Sequence, residues 1–327
     1  MKKLLKVLGI LVLSILVIIL LIVAYIKIVL PDVGPAPDMT IERTPARLAR
    51  GTYLANSIMV CMDCHSKRNL TQFSLPMDEK TRGEGGQRFD QSMGFPGIFY
   101  SANITPTGIG SWTDGEVYRA ISTGVRKSGK PIFPVMPYHS YRFADSEDIK
   151  SVIVYLRSLA PKNNVVPPST ADFPMNIILN TIPKKAKPMT IPPASDSVAH
   201  GRYLVTIGAC YDCHTPFDKG KFDDAYAFAG GRTFPVPGGK VTSANITPDK
   251  ITGIGLWTRD VFVSRFTFYR DSANAHRTVP SGELQSIMPW TMYGTMSNSD
   301  LASIYAFILT MQPVNHLVTK FKSEKYN

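Results

Sequence analysis

Apolar and polar positions divide the chain into one unbroken apolar stripe, two patterned halves and the proline-rich connections between them. Val7 to Ile26 carries no charged residue, and about twenty apolar residues in a helix cross the hydrocarbon core of a bilayer. A cleaved leader has a shorter apolar run, about 7 to 15 residues ending in small ones; this run continues to Tyr25, Lys27 and Leu30-Pro31. The pattern predicts a retained single-pass anchor over residues 1–30. Lys2, Lys3 and Lys6 precede the stripe and only Lys27 ends it, so the N-terminus is expected in the cytoplasm and the remainder on the opposite face of the cell (inner) membrane. No later stretch is long and apolar enough to span.

A Pro-rich spacer follows over 31–42. From Arg43 the pattern turns helical through Leu48 and Leu54, then becomes Gly- and Pro-rich around Arg82 to Gly97. Thr113-Asp-Gly-Glu116 reads as a capping box that opens a helix to Thr123. Asp145 to Leu159 reads as an amphipathic helix with Ile149, Val152, Ile153, Leu156 and Leu159 on one stripe. Residues 161–194 hold eight prolines and the lysines 184, 185 and 187, which predicts a stiff, solvated linker. Its apolar stretch Phe173 to Ile182 is expected to pack against a domain.

The second half repeats the first. Gly51-Thr-Tyr53-Leu54 returns as Gly201-Arg-Tyr203-Leu204, and Ser101-Ala-Asn-Ile-Thr-Pro106 returns verbatim as Ser243 to Pro248. Gly108-Ile-Gly-x-Trp112-Thr113 returns as Gly253-Ile-Gly-x-Trp257-Thr258, Met136-Pro137 as Met288-Pro289, and Asp148 with its helix as Asp300 with Leu301 to Met311. The expected organisation is two like domains, 43–160 and 195–315, before a polar tail, 316–327.

Composition narrows the partners. The formal charge of +11 falls to +7 without the four lysines of the anchor, 32 basic against 25 acidic. A mildly basic surface suits acidic proteins or anionic lipid. Basic runs interleaved with aromatics are missing, so no nucleic-acid partner is expected.

The four cysteines all fall in one doubled pattern, Cys61-Met-Asp-Cys64-His65 and Cys210-Tyr-Asp-Cys213-His214. Cys-x-x-Cys-His reads as a c-type haem attachment site: two thiols on one face of a helical turn can add to the two vinyl groups of a porphyrin. The adjacent imidazole is the usual proximal ligand of the iron. Cys-x-x-Cys also serves thioredoxin-like redox pairs and zinc sites. Neither requires the following His, and a zinc site would have to join the pairs across 149 residues. Two covalent haems are therefore expected.

For the sixth ligand the repeat selects Met136 and Met288, 71 and 74 residues after His65 and His214. Met77, Met93 and His139 compete in the first half. At the offset of 152 that pairs the two Met-Pro sites, however, His139 meets Thr291, and no Met lies between His214 and Met288. Trp112, Trp257 and the Asn-Ile-Thr-Pro turns either cover a haem edge or only brace loops.

The attachment motif, the late Met-Pro and the closing helix together resemble a class I cytochrome c domain, twice. In that family the first and last helices cross where a Gly meets an aromatic residue, which implies Gly51 with Tyr155 and Gly201 with Phe307. The Asn-Ile-Thr-Pro, Gly-Ile-Gly-x-Trp-Thr and Met-Pro series is similar to the cytochrome subunits of membrane-bound alcohol and gluconate dehydrogenases over residues 43 to 313. It differs in having two haem motifs where those carry three, and in its N-terminal anchor. The resemblance implies an all-α fold and an electron carrier without catalytic residues. A quinol-oxidising complex or dehydrogenase is the implied donor, and a terminal oxidase or soluble cytochrome the implied acceptor. One alternative is a subunit that works only inside a larger oxidoreductase. The other is a dihaem peroxidase or thiosulfate-type dehydrogenase, which needs an open or labile sixth position, and two matched Met-Pro sites speak against that.

Overall fold

The computed structural model describes residues 1–218 and 220–324; positions 325–327 of the expected tail lie outside the described residues. The N-terminal helix, Lys2–Ile28, extends past both ends of the charge-free stripe, and the rest of the chain buries none of it. At 1.5 Å per residue it is about 40 Å long, enough to cross a bilayer.

Each half is then built on a pair of crossed helices. The opening helices are Pro45–Tyr53 and Ser197–Ile207, capped by Thr44 and Asp196, whose side chains accept from Arg47 N and Ala199 N. The closing helices are Ser146–Ser158 and Asn298–Ile308, capped by Asp145 and Ser297. A glycine marks each crossing: a Cβ on Gly51 would lie 1.8 Å from Ser151 O and 3.1 Å from Tyr155 Cβ, and one on Gly201 1.9 Å from Ser303 O. Around Gly201 the nearest neighbours are the Ser303 and Ile304 backbone, and the Arg202 guanidinium lies over the Phe307 ring at 5.4 Å. The capping box at Thr113 and Glu116 forms in full and opens the helix Asp114–Thr123, whose counterpart is Arg259–Thr267.

The fold is mainly helical, but where an all-α chain was expected each half also carries a small antiparallel ribbon. Arg88–Phe89 pairs with Gly97–Tyr100, and Thr233–Val236 with Gly239–Thr242. These Gly- and Pro-rich stretches cannot sustain a helix, yet their backbone groups still need partners. The third strand of each ribbon comes from the chain beyond the closing helix: Thr170–Ala171 in the first half and Phe321–Ser323 in the second. The start of the linker and the described part of the tail are thereby tied down in equivalent ways. Lys187 N and Met189 N donate to Arg142 O and Phe143 O, so the far end of the linker is docked too. The spacer also packs: Ile41 is buried with its N–H on Asp114 Oδ2 at 3.2 Å, and the Pro37 carbonyl covers Gly115.

Buried residues of both halves form one continuous core, including Leu54, Ile58 and Met59 from the first and Tyr203, Leu204 and Ile207 from the second. Across this joint the halves exchange equivalent bonds. Tyr53 OH donates to Asp300 Oδ2 at 2.5 Å, and Tyr203 OH to Asp148 Oδ2 at 2.6 Å. The same phenols accept from Ser297 N and Asp145 N. Such reciprocity is the signature of an isologous, two-fold-like interface.

Candidate haem-attachment sites

The two pentapeptides occupy short helices, Cys61–Cys64 and Cys210–His214. Each opens from a non-glycine residue in the left-handed region, Val60 at φ 45° and Ala209 at φ 52°. That conformation is strained for a residue with a side chain and persists only where the surroundings impose it. Here Tyr141 OH donates to Met59 O at 2.8 Å and Tyr293 OH to Gly208 O at 3.1 Å, pinning the peptide before each strained residue.

The histidines are oriented alike. His65 Nδ1 lies 2.7 Å from Ala102 O and His214 Nδ1 2.8 Å from Ala244 O. A carbonyl can only accept, so Nδ1 carries the proton and Nε2 keeps its lone pair. Among the described residues no protein group bonds either Nε2. Burial lowers the pKa of both rings against the opposing carbonyl bond, which keeps them neutral, the form that binds iron.

Those two carbonyls belong to the verbatim repeat. Asn103 Oδ1 accepts from Thr105 N and Oγ1 at 3.0 and 2.7 Å, and Asn245 Oδ1 from Thr247 N and Oγ1 at 2.9 and 2.7 Å. Asn103 Nδ2 and Asn245 Nδ2 each donate at 2.8 Å, to Lys162 O and Val314 O beyond the closing helices. The turn fixes the Ala carbonyl and the carbonyl fixes the imidazole, a support role of the kind that sets ring orientation and basicity in ligating histidines.

Desolvation raises all four thiols, Cys61 and Cys210 to about 12 and Cys64 and Cys213 to about 11. Cys213 is exposed at the surface, and the other three are half-buried. A dithiol redox pair needs a thiolate near neutral pH, and these environments oppose one. Nor do three His, Cys, Asp or Glu side chains converge on metal-binding spacing among the described residues, so a shared zinc site has no ligand set. The residues do fit a haem at each motif: paired thiols on one helical turn, and a neutral imidazole held by the nitrogen that iron does not use.

Met136 and Met288 are partly buried against the same core as Cys61 and Cys210. The Met288 turn is held from the other half: Ser74 Oγ donates to Met288 O at 2.5 Å and accepts from Trp290 N at 2.9 Å, and the buried Gln285 accepts from Ser74 N at 2.9 Å. His139 Nε2 lies 2.8 Å from Asp212 Oδ2, inside the second attachment motif, without making a hydrogen bond. The Trp112 and Trp257 carbonyls accept from Arg157 and Tyr305 of the closing helices. Sequence reasoning missed Ser74 and Gln285, which have no counterpart in the repeat, and Tyr141 and Tyr293, which do have one at the same offset of 152.

The two motifs flank the same joint, and Cys61 and Cys210 pack against one shared core. A Cβ on Gly208 would sit 3.6 Å from both Cys210 Sγ and Ile58 O.

No family model matches the chain. Among curated relatives it is 30% identical over 293 residues to the gluconate 2-dehydrogenase cytochrome c subunit of Pantoea cypripedii, covering 83% of this chain and 60% of that protein. It is 28% identical over 297 residues to the alcohol dehydrogenase (quinone) cytochrome c subunit of Gluconacetobacter polyoxogenes, covering 86% and 59%. The chain thus spans about three-fifths of the length of those two relatives. With the diheme cytochrome c-type protein of Cereibacter sphaeroides it shares 30% identity over 223 residues, 65% of this chain and 72% of that protein. On its doubled motif and on these relatives, the chain belongs to the dihaem c-type cytochromes and carries covalently bound haem c.

Proposed function

We propose that this protein is a membrane-anchored electron relay: two tandem class I cytochrome c domains, 43–160 and 195–315, on the extracytoplasmic face behind a retained N-terminal helix. Cys61 and Cys64 tether one haem and Cys210 and Cys213 the other; His65 and His214 are the proximal ligands, Met136 and Met288 the distal ones. The observation that carries this reading is the matched bond from each motif histidine to an alanine carbonyl at 2.7 and 2.8 Å, which leaves both Nε2 atoms for iron.

Haem, when bound, would supply reversible one-electron chemistry, and ligation by His65 with Met136 and by His214 with Met288 would raise its potential. The chain's own part is to hold the imidazoles neutral, present the methionines from short Met-Pro turns, and fix both attachment helices on one core. The one core that both motifs pack against supports exchange of electrons within the chain.

The relatives named as gluconate, alcohol and fructose dehydrogenase subunits support a dehydrogenase as the donor, with a terminal oxidase or soluble cytochrome as the acceptor. Mild-detergent purification of the tagged chain from its own membranes tests this. A co-purifying dehydrogenase or quinol-oxidising complex, whose substrate reduces both haems, is the expected result. Turnover of peroxide by the isolated chain, or failure of quinol and dehydrogenase substrates alike to reduce it in membranes, would overturn the reading.

A further inference from the structure

The linker segment 173–182 is apolar, yet it is not folded into a core. Phe173 is 79% exposed and Ile178 43%. The segment lies at the far end of the N-terminal helix: Lys27 Nζ donates to Asn176 O at 2.6 Å, and the short helix Met175–Ile178 with the turn Leu179–Thr181 touches that helix. There Tyr25, Ile28 and Val29 are also exposed, at 56%, 82% and 50%. An exposed apolar patch continuous with a bilayer-spanning stripe sits at the depth of the membrane–water interface, where Tyr is favoured.

Charge favours the same partner. Lys184, Lys185 and Lys187 follow the segment directly, all exposed, against two acids beside it: Asp32, 3.7 Å from Lys185 and well exposed, and Asp172, whose Oδ2 accepts from Gln91. The sequence suggested that Phe173 to Ile182 packs against a domain; the residues just before it do pair, Thr170–Ala171 on Gly97–Tyr100, whereas Phe173 and Ile178 are exposed.

We propose that residues 173–182 lie in the interfacial layer of the bilayer beside the anchor, with Phe173 and Ile178 among the upper acyl chains and Lys184, Lys185 and Lys187 on anionic phospholipid headgroups. The segment is a second membrane contact that sets the height and tilt of the haem-bearing part. It rests on the reading of Lys2–Ile28 as a retained span.

The test uses the full haem-loaded chain in vesicles of phosphatidylcholine with or without phosphatidylglycerol, with one nitroxide spin label per variant at Phe173→Cys, Ile178→Cys, Leu16→Cys or the exposed Ile251→Cys. Relaxation by oxygen against a water-soluble nickel chelate reports depth. The expected result is severalfold lower nickel accessibility at 173 and 178 than at 251. That shielding should deepen with phosphatidylglycerol, and the deepening should be lost in a Lys184→Gln, Lys185→Gln, Lys187→Gln background. Labels at 173 and 178 as open to nickel as that at 251, with Leu16 shielded, would overturn the proposal and leave the anchor standing. The same result with Leu16 open would overturn both. Shielding at 173 and 178 with Leu16 open would remove the span and, with it, the proposed place beside the anchor.

Discussion

Tyr53 reaches from the opening helix of the first half to Asp300 on the closing helix of the second, 2.5 Å across 247 residues of chain. Tyr203 and Asp148 return the same bond in the opposite sense at 2.6 Å. Asp148 is buried and also takes a bidentate pair from Arg50, both contacts 2.8 Å. Tyr203→Phe removes one charge-assisted bond and is expected to cost about 1.5–3 kcal/mol. Asp148→Ala strands Arg50 and Tyr203 together and should cost about 3 kcal/mol or more. Urea midpoints of Tyr53→Phe, Tyr203→Phe, Asp148→Ala and the Tyr53→Phe, Tyr203→Phe double check this; a double variant no weaker than either tyrosine single would contradict the exchange.

The pH dependence of the joint follows from Tyr53. Burial and then the bond to Asp300 raise its phenol from 10 to about 12. The folded protein therefore holds a proton that the unfolded chain gives up from about pH 10, so this contribution is present below pH 10 and lost as pH rises toward 12. Stability should fall over that window, and the fall should be shallower in Tyr53→Phe.

Gly51 and Gly201 allow the helix crossings on which both halves are built. A methyl group at either would enter backbone oxygen at under 2 Å, and backbone cannot rotate aside. Gly51→Ala and Gly201→Ala are each expected to cost about 3 kcal/mol or more, at or above the upper end of overpacking, and to lower the yield of haem-loaded protein. A Gly51→Ala chain with the wild-type urea midpoint would contradict the crossing.

How far the sequence carried depends on whether a feature lives in a side-chain pattern. The capping box at Thr113 and the closing helix beginning after Asp145 were legible, because each is local spacing or repeat; the crossing at Gly51 was implied by the resemblance to class I cytochromes c. The partner of His65 was not, since a backbone carbonyl has no letter; only the verbatim Ser101 to Pro106 repeat hinted that this turn does the same work twice. The Tyr53 to Asp300 exchange was illegible because it depends on how the halves dock, and Tyr and Asp recur in the repeat for reasons that spacing alone does not separate. The residues around Phe321 read as polar tail because a three-residue strand is too short to show alternation.

The Asn turns should be felt at the iron. Asn245→Ala frees Thr247 and the Val314 carbonyl and loosens the Ala244 carbonyl on His214 Nδ1. A weaker acceptor at Nδ1 makes the imidazole a poorer donor to the metal, which disfavours the ferric state. One haem is expected to shift to higher potential, with Asn103→Ala shifting the other, while absorption spectra remain low-spin. A shift of both haems by either single variant would contradict the assignment of one turn to one site.

The most direct test of the whole account is a haem count per chain joined to a redox-titrated absorption spectrum of the full protein and of its Met136→Ala and Met288→Ala variants. The account predicts two covalent haems at positive potential with the ferric charge-transfer band of Met ligation, and in each variant the loss of half that band with one haem moved to lower potential. One haem per chain, or a wild-type haem that is high-spin or reacts with peroxide, would contradict it.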